Sequence, residues 1–245
     1  MLSALVPILG MVVVWAPAAR AEDLTIVFRT MGQGGEQTAT HYFTSTRVRL
    51  DQGEEATIVD FSTGTVVSVS LKKKQYAETT FAEIERAMTS MSAEMEKAMA
   101  GIPESLRSKM MGDAAKEVTV TKGESRTVAG VPCQNYIVSL GGKSRMEACA
   151  TTAIQPPFDP GNFRNLALVT FPIGAGNSGL NKMVAKMRAI QGLSLASSAS
   201  LSILGRKIET SSEATEIRKG PIDASTFEIP RNLTKVDSPF AKMAR

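Results

Sequence analysis

The sequence predicts an α+β protein that is mainly β, built on one strongly curved antiparallel sheet with a helical interruption. Three observations carry this. Apolar and polar residues alternate along most of the chain, the pattern of half-buried strands. Turn-forming residues separate these runs at short intervals, as in a meander. One stretch, from about 80 to 116, turns instead to three- and four-residue apolar spacing, the helical period.

The chain opens on LSALVPILGMVVVWAPA, an apolar run followed by Ala19-Arg20-Ala21 and then Glu22-Asp23. A short apolar core ending in A-x-A reads as a secretory signal peptide over residues 1–21, cut after Ala21. No Lys or Arg precedes the core, so the amino terminus alone supplies positive charge there. The rival reading is an uncleaved anchor, because Leu2 to Ala19 approaches the length of a membrane span. Pro7, Gly10 and Pro17 interrupt that run and favour cleavage. No Cys follows the cut to accept a lipid, so the expected product is periplasmic or secreted. Residues 22–245 are expected to form a single domain with a helical insertion at about 80–116.

The strands follow in order. DLTIVFRT places Leu24, Ile26 and Phe28 on one face. HYFTSTRVRL, EATIVDFS and TVVSVSLK continue the alternation. After the helical stretch come EVTVTKG, CQNYIVSL, SRMEACAT, LSLASSASLSIL and KIETSSEATEI. Together they predict about nine to eleven strands in one antiparallel sheet, curved so that its apolar face is covered.

Thr80 followed by Glu83 is a capping box and starts the helix. From there Phe81, Ile84, Met88, Met91, Met95 and Met99 form one apolar stripe, opposite Glu83, Glu85, Arg86, Glu94, Glu96 and Lys97. Gly101 and Pro103 stop it, and SLRSKMMG reads as a second short helix. Six of the chain's 13 Met fall between positions 88 and 111. Methionine adapts to varied apolar partners, which makes the stripe a candidate hydrophobic lid. Ordinary packing of a helix on a sheet explains the same stripe.

Cys133 and Cys149 flank the turn at Gly141-Gly142. A hairpin centred on Gly141 sets Cys133 opposite Cys149, Tyr136 opposite Met146, and Asn135 opposite Glu147. Directly opposed residues have Cα atoms about 4.5–5.5 Å apart, within disulfide range. Export allows the bond to persist, the alternative being two free thiols.

Other functional classes find little support. Gly174, Gly176 and Gly179 spell G-x-G-x-x-G between a possible strand, LALVTFPI, and a helix, LNKMVAKMRAI. A dinucleotide site needs a parallel β-α-β unit and an acidic residue about 20 positions on. No Asp or Glu lies between Gly179 and Glu209, and Pro172 sits where the strand would enter the loop, so no nucleotide or other cofactor is expected. Cleavage removes Arg20 and takes the formal charge from +4 to +3. The basic cluster Lys72-Lys73-Lys74 reads as a solvated turn and the few aromatics are scattered, so no nucleic acid is expected. The single His, His41, has no local Cys, Asp or Ser partners for a triad or a metal cluster. No catalytic residues and no metal ligands are assigned, and no enzyme is expected.

Three stretches together resemble a bacterial envelope family known as a domain of unknown function (family 4412). IVDFSTGTVVSVSLKKKQYAETTFAEI resembles its strand-turn-strand unit through Asp60, Thr63-Gly64, Lys74 and Tyr76. VTKGESRTVAGVPCQNYIV resembles a second segment through Gly130, Cys133 and Tyr136. EATEIRKGPIDASTFEIPRNLTKV resembles its closing segment through Ile217, Gly220, Phe227 and Pro230. The family is similar in fold to LolA-like lipoprotein carriers, so the resemblance implies a half-open antiparallel barrel lidded by helices. It implies handling of a lipid, acyl chain, lipoprotein or other apolar ligand, compatible with peripheral membrane contact, and no catalytic residues. The alternative is a structural or sensing envelope protein with a filled core and a protein partner. Cys149-Ala150-Thr151 stands where that family often has a Trp, and the glycine stretch 174–179 is particular to this chain.

Overall fold

Leu24, Phe43, Val48, Val59, Val66 and Thr79 stand side by side across six consecutive strands, and each is buried. This row is the direct product of period-two alternation, which sends every second side chain to one face. The structure, a computed structural model, describes residues 22–103, 117–141, 144–170, 178–203 and 206–240.

The strands are β1 (Leu24–Gly32), β2 (Gly35–Phe43), β3 (Arg47–Gln52), β4 (Glu55–Asp60), β5 (Thr65–Ser70) and β6 (Gln75–Thr80), then β7 (Val118–Val128), β8 (Val131–Leu140), β9 (Ser144–Thr151), β10 (Leu193–Ile203), β11 (Arg206–Lys219) and β12 (Thr234–Lys235). They form one open sheet in the order β12-β6-β5-β4-β3-β2-β1-β11-β10-β9-β8-β7. All neighbours are antiparallel except β12, which runs parallel to β6. The twelve strands among the described residues exceed the nine to eleven expected. Gln75–Thr80 carries little apolar alternation, and Thr234–Lys235 joins through the Thr234 and Val236 N–H groups on the Lys74 and Tyr76 carbonyls and a Lys235–Glu78 ion pair.

Three α-helices, α1 (Phe81–Ala100), α2 (Phe163–Thr170) and α3 (Ser178–Arg188), and two short 3-10 turns, Pro160–Asn162 and Ala224–Phe227, complete the described elements. The main core joins the Leu24–Val66 row to Ile84 of α1, Phe158 and Leu195. Phe158 meets Phe43, Phe61 and Phe163 at ring-centroid distances of 6.1, 5.2 and 5.1 Å. A second core, Val138, Leu140, Met146 and Leu201, packs beneath Met183 of α3. The expected SLRSKMMG helix and the signal segment 1–21 lie outside the described residues.

Register shifts bend the sheet: at Lys122/Ser125 on β7, at Ser194/Ala196 on β10, and on β11 where it passes Val27/Phe28. An extra residue in one strand bends it and increases its twist. The bend brings β7 back to β11, although three strands separate them in the order. Arg126 Nη1 and Glu213 Oε2 meet at 2.7 Å across that gap.

Several of the residues that carry the family resemblance are fold-makers. Asp60 Oδ1 accepts the backbone N–H groups of Ser62 and Thr63 at 2.9 and 3.1 Å, closing the turn into β5. Ala129 (φ 48°) and Gly130 (φ 80°) form the two-residue turn from β7 to β8, a geometry that needs positive φ at both positions. Phe227 is buried under the Arg47 guanidinium, 4.9 Å from its ring centroid. Arg49 Nη1 donates to the Thr226 carbonyl at 2.7 Å, so the segment after β11 is fixed back onto β3.

The Cys133–Cys149 disulfide is present, with a Cα–Cα distance of 5.3 Å. Its register differs from the one expected. Leu140 pairs with Ser144, Tyr136 with Ala148, and Asn135, not Cys133, with Cys149. The last pair of the ladder is Leu140–Ser144, so the pairing is not centred on Gly141. The resulting shift is two residues, so both cysteines keep the same face.

Candidate functional site

Helix α1 is built as its sequence specifies. Thr80 donates its backbone N–H to Glu83 Oε2 at 2.8 Å, and the Glu83 N–H returns to Thr80 Oγ1 at 3.2 Å. The buried Thr79 hydroxyl also donates to Glu83 Oε2, at 3.1 Å. These donors, the Thr80 backbone first, hold the Glu83 carboxyl below its ordinary pKa.

The stripe divides along the helix. Ile84 is buried in the main core, Ala87 is buried beside it in sequence, and half-buried Phe81 and Met88 pack against that core. Met91 is half-buried one turn further on. Beyond it Ser92, Ala93, Glu94, Glu96, Lys97 and Ala98 are exposed. Met95 and Met99 continue the stripe by position, one and two turns past Met91; their side chains lie outside the described residues. The main contacts of α1 are with β6 and α2, and its first two turns pack into the core.

Beside the buried row lies a second one, Ile26, His41, Leu50, Thr57, Ser68 and Ala77, and it is covered less completely from His41 onward. His41 lies against Phe28, at 4.6 Å between ring centroids, and edge-on to Phe43 at 6.2 Å. Burial among these rings lowers its pKa from 6.5 to about 4, so it is neutral near pH 7. It is a packed imidazole, and among the described residues no carboxylate or hydroxyl is hydrogen-bonded to it to orient it as a base.

The bend that joins β7 to β11 creates a groove of about 490 Å³, lined in part by Arg29, Met31, Arg126, Asn135, Glu147 and Glu213. Three of its charged side chains are paired. Arg126 pairs with Glu213, while Glu147 pairs with Arg145 at 2.6 Å and accepts from Asn135 Nδ2 at 3.2 Å. Sequence reasoning missed this groove. Its residues come from strands far apart in the chain, and each alone reads as the solvated side of a strand.

The described segments that flank the glycine motif do not form a β-α-β unit. Gly174 and Gly176 lie outside the described residues, and Gly179 is buried in the first turn of α3. The segment before them, Phe163–Thr170, is helical and not a strand, and β10 beyond α3 runs antiparallel to β9. Among the described residues no three His, Cys, Asp or Glu side chains are grouped to hold a metal ion. None of the described helices is long and apolar enough to cross a membrane.

The sequence profile of a family described as a domain of unknown function (DUF4412) matches residues 25–233. No curated protein matches the chain in sequence. Among solved structures, an uncharacterized conserved protein from Thermus thermophilus aligns with a TM-score of 0.46 and 9% identity, over 89% of this chain and 91% of the other. The MucA/MucB complex of Pseudomonas aeruginosa gives a TM-score of 0.45 and 11% identity, over 89% of this chain and 59% of the other. PNGF-II gives 0.42 and 13%, over 91% of this chain and 33% of the other. Likenesses of this degree assign neither a ligand nor a partner.

Proposed function

The chain belongs to the DUF4412 family, and we propose that it is an exported, non-catalytic binding protein of the bacterial periplasm. In this reading it takes an apolar ligand (a lipid, an acyl chain or a lipoprotein segment) between the outer half of α1 and a sheet curved as a LolA-like half-barrel, with α1 as the lid. One observation supports the reading: Met91 is only half-buried one turn beyond the Ile84 and Met88 that fill the core, and the apolar stripe continues in sequence through Met95 and Met99. A stripe needed only for packing would end where the packing ends. Methionine at the outer positions suits an exchangeable apolar partner better than a fixed one. Export rests on the apolar leader and the Ala19/Ala21 pair.

A second reading is favoured by the buried Leu24–Val66 row and by Ile84, which sits in a filled core. On that reading the protein is a structural or sensing envelope component that binds another protein. Native mass spectrometry of protein purified from its host envelope separates the two. The carrier reading expects co-purifying lipid or acyl species, released by organic extraction. Only the bare mass of the mature chain, at every preparation, contradicts it.

A further inference from the structure

On β1 the groove lies away from the main core, because Arg29 and Met31 alternate with the buried Ile26 and Phe28. Strand register shows how the sequence hollows it. One row across the sheet runs Arg29, Glu213, Ala196, Cys149 and Asn135, and the next runs Met31, Ser211, Ser198 and Glu147. Long side chains close both ends of these rows, while the short Ala196, Ser198 and Ser211 lie between them. Where a sheet curls on itself, side chains usually fill the inner face. Short ones here leave about 490 Å³ open, a volume within the range of small-molecule sites.

We propose that this groove binds a neutral, hydroxyl-rich ligand, a saccharide, at a site separate from the space assigned to an apolar ligand beside α1. The class is read from charge and hydrogen bonding. With Arg145, which reaches Glu147 from the rim, three arginines stand against three glutamates among the described lining residues, so no net charge selects an ion. Arg126 and Glu213 hold each other, as do Arg145 and Glu147. Arg29 and Glu36, which have no ion pair among the described residues, are of opposite sign. Met31 and Ala196 are the only apolar residues of the described lining, so an acyl chain gains little there. On the floor, the Ser198 and Ser211 hydroxyls are exposed and have no partner among the described residues. A sugar hydroxyl donates and accepts at once. The groove supplies acceptors in Glu147 and Glu213, donors in Arg126 and Asn135, and serines that do either. Hydrogen bonds to the ionised members are the stronger ones.

The test is calorimetric titration of the mature chain with glucose, N-acetylglucosamine, cellobiose and chitobiose, beside two charged probes, glucose 6-phosphate and glycylglycine. Saturable binding of at least one neutral sugar is expected, tighter than that of either charged probe. Ser198→Leu and Ser211→Leu each raise a branched apolar side chain from the floor at an exposed position, and far-ultraviolet circular dichroism confirms that each variant is folded. Each should weaken sugar binding by roughly tenfold or more. No saturable binding of any neutral sugar, up to tens of millimolar, overturns the proposal. So does binding that both variants leave unchanged, or tighter binding of glucose 6-phosphate or glycylglycine.

Discussion

Cys133 is bonded to Cys149 from a position two residues out of register, because Asn135 is the residue that faces Cys149 in the β8–β9 ladder. The bond closes a loop with a sequence separation of 16, which stabilises the fold by about 3 kcal/mol in the chain-entropy view. Thiol titration of the unreduced protein in denaturant should find no free thiol. Replacing both cysteines by Ala should lower the unfolding free energy by about that amount. Two reactive thiols in the native exported protein would exclude the bond.

The pairing of the cysteines was legible in the sequence, and the register was not. Alternation fixes which face a residue takes, and a two-residue shift leaves every face unchanged. Loop length sets the remaining register, and Gly141-Gly142 does not distinguish pairing centred on Gly141 from the Leu140–Ser144 register that forms. For the same reason the start of α1 was readable from Thr80 and Glu83, which bond each other over three residues. Strand β6 was harder to see because Gln75–Thr80 carries too few apolar residues to alternate. The Arg126–Glu213 groove depends on bends at three register shifts, and no local pattern marks them.

His41 should make stability depend on pH. Its folded pKa of about 4 lies below its ordinary 6.5, so the unfolded chain takes up the proton first as pH falls. Stability should therefore decline from about pH 6.5 to about pH 4 and level off below that, with a contribution on the order of 1–3 kcal/mol. Urea midpoints at pH 7 and pH 4.5 measure it. The difference between the two pH values should shrink in His41→Asn, whatever that substitution does to stability itself. An unchanged difference contradicts the packing assigned to the imidazole.

The Thr80–Glu83 cap has its own pH signature. Its carboxyl is held below the ordinary value, so its contribution is present above the unfolded pKa and fades as pH falls through the folded one. Thr80→Ala removes one half of the reciprocal pair and should cost about 1 kcal/mol at neutral pH. Thermal unfolding of wild type and variant checks this, and the gap between them should narrow in acid.

The central claim is that the outer part of α1 borders a space for an apolar ligand, and Met91 stands at the boundary. In a filled core Met91→Ala would leave a cavity and cost about 2–5 kcal/mol. At a lid the loss should be smaller, since the surroundings already tolerate exchangeable volume. The decisive measurement is binding of an apolar fluorescent probe beside unfolding free energy, for wild type and Met91→Ala. The account predicts that wild type binds the probe saturably and that the substitution changes binding more than stability. A large stability loss, with no probe bound by wild type, contradicts it and leaves the filled-core protein binder.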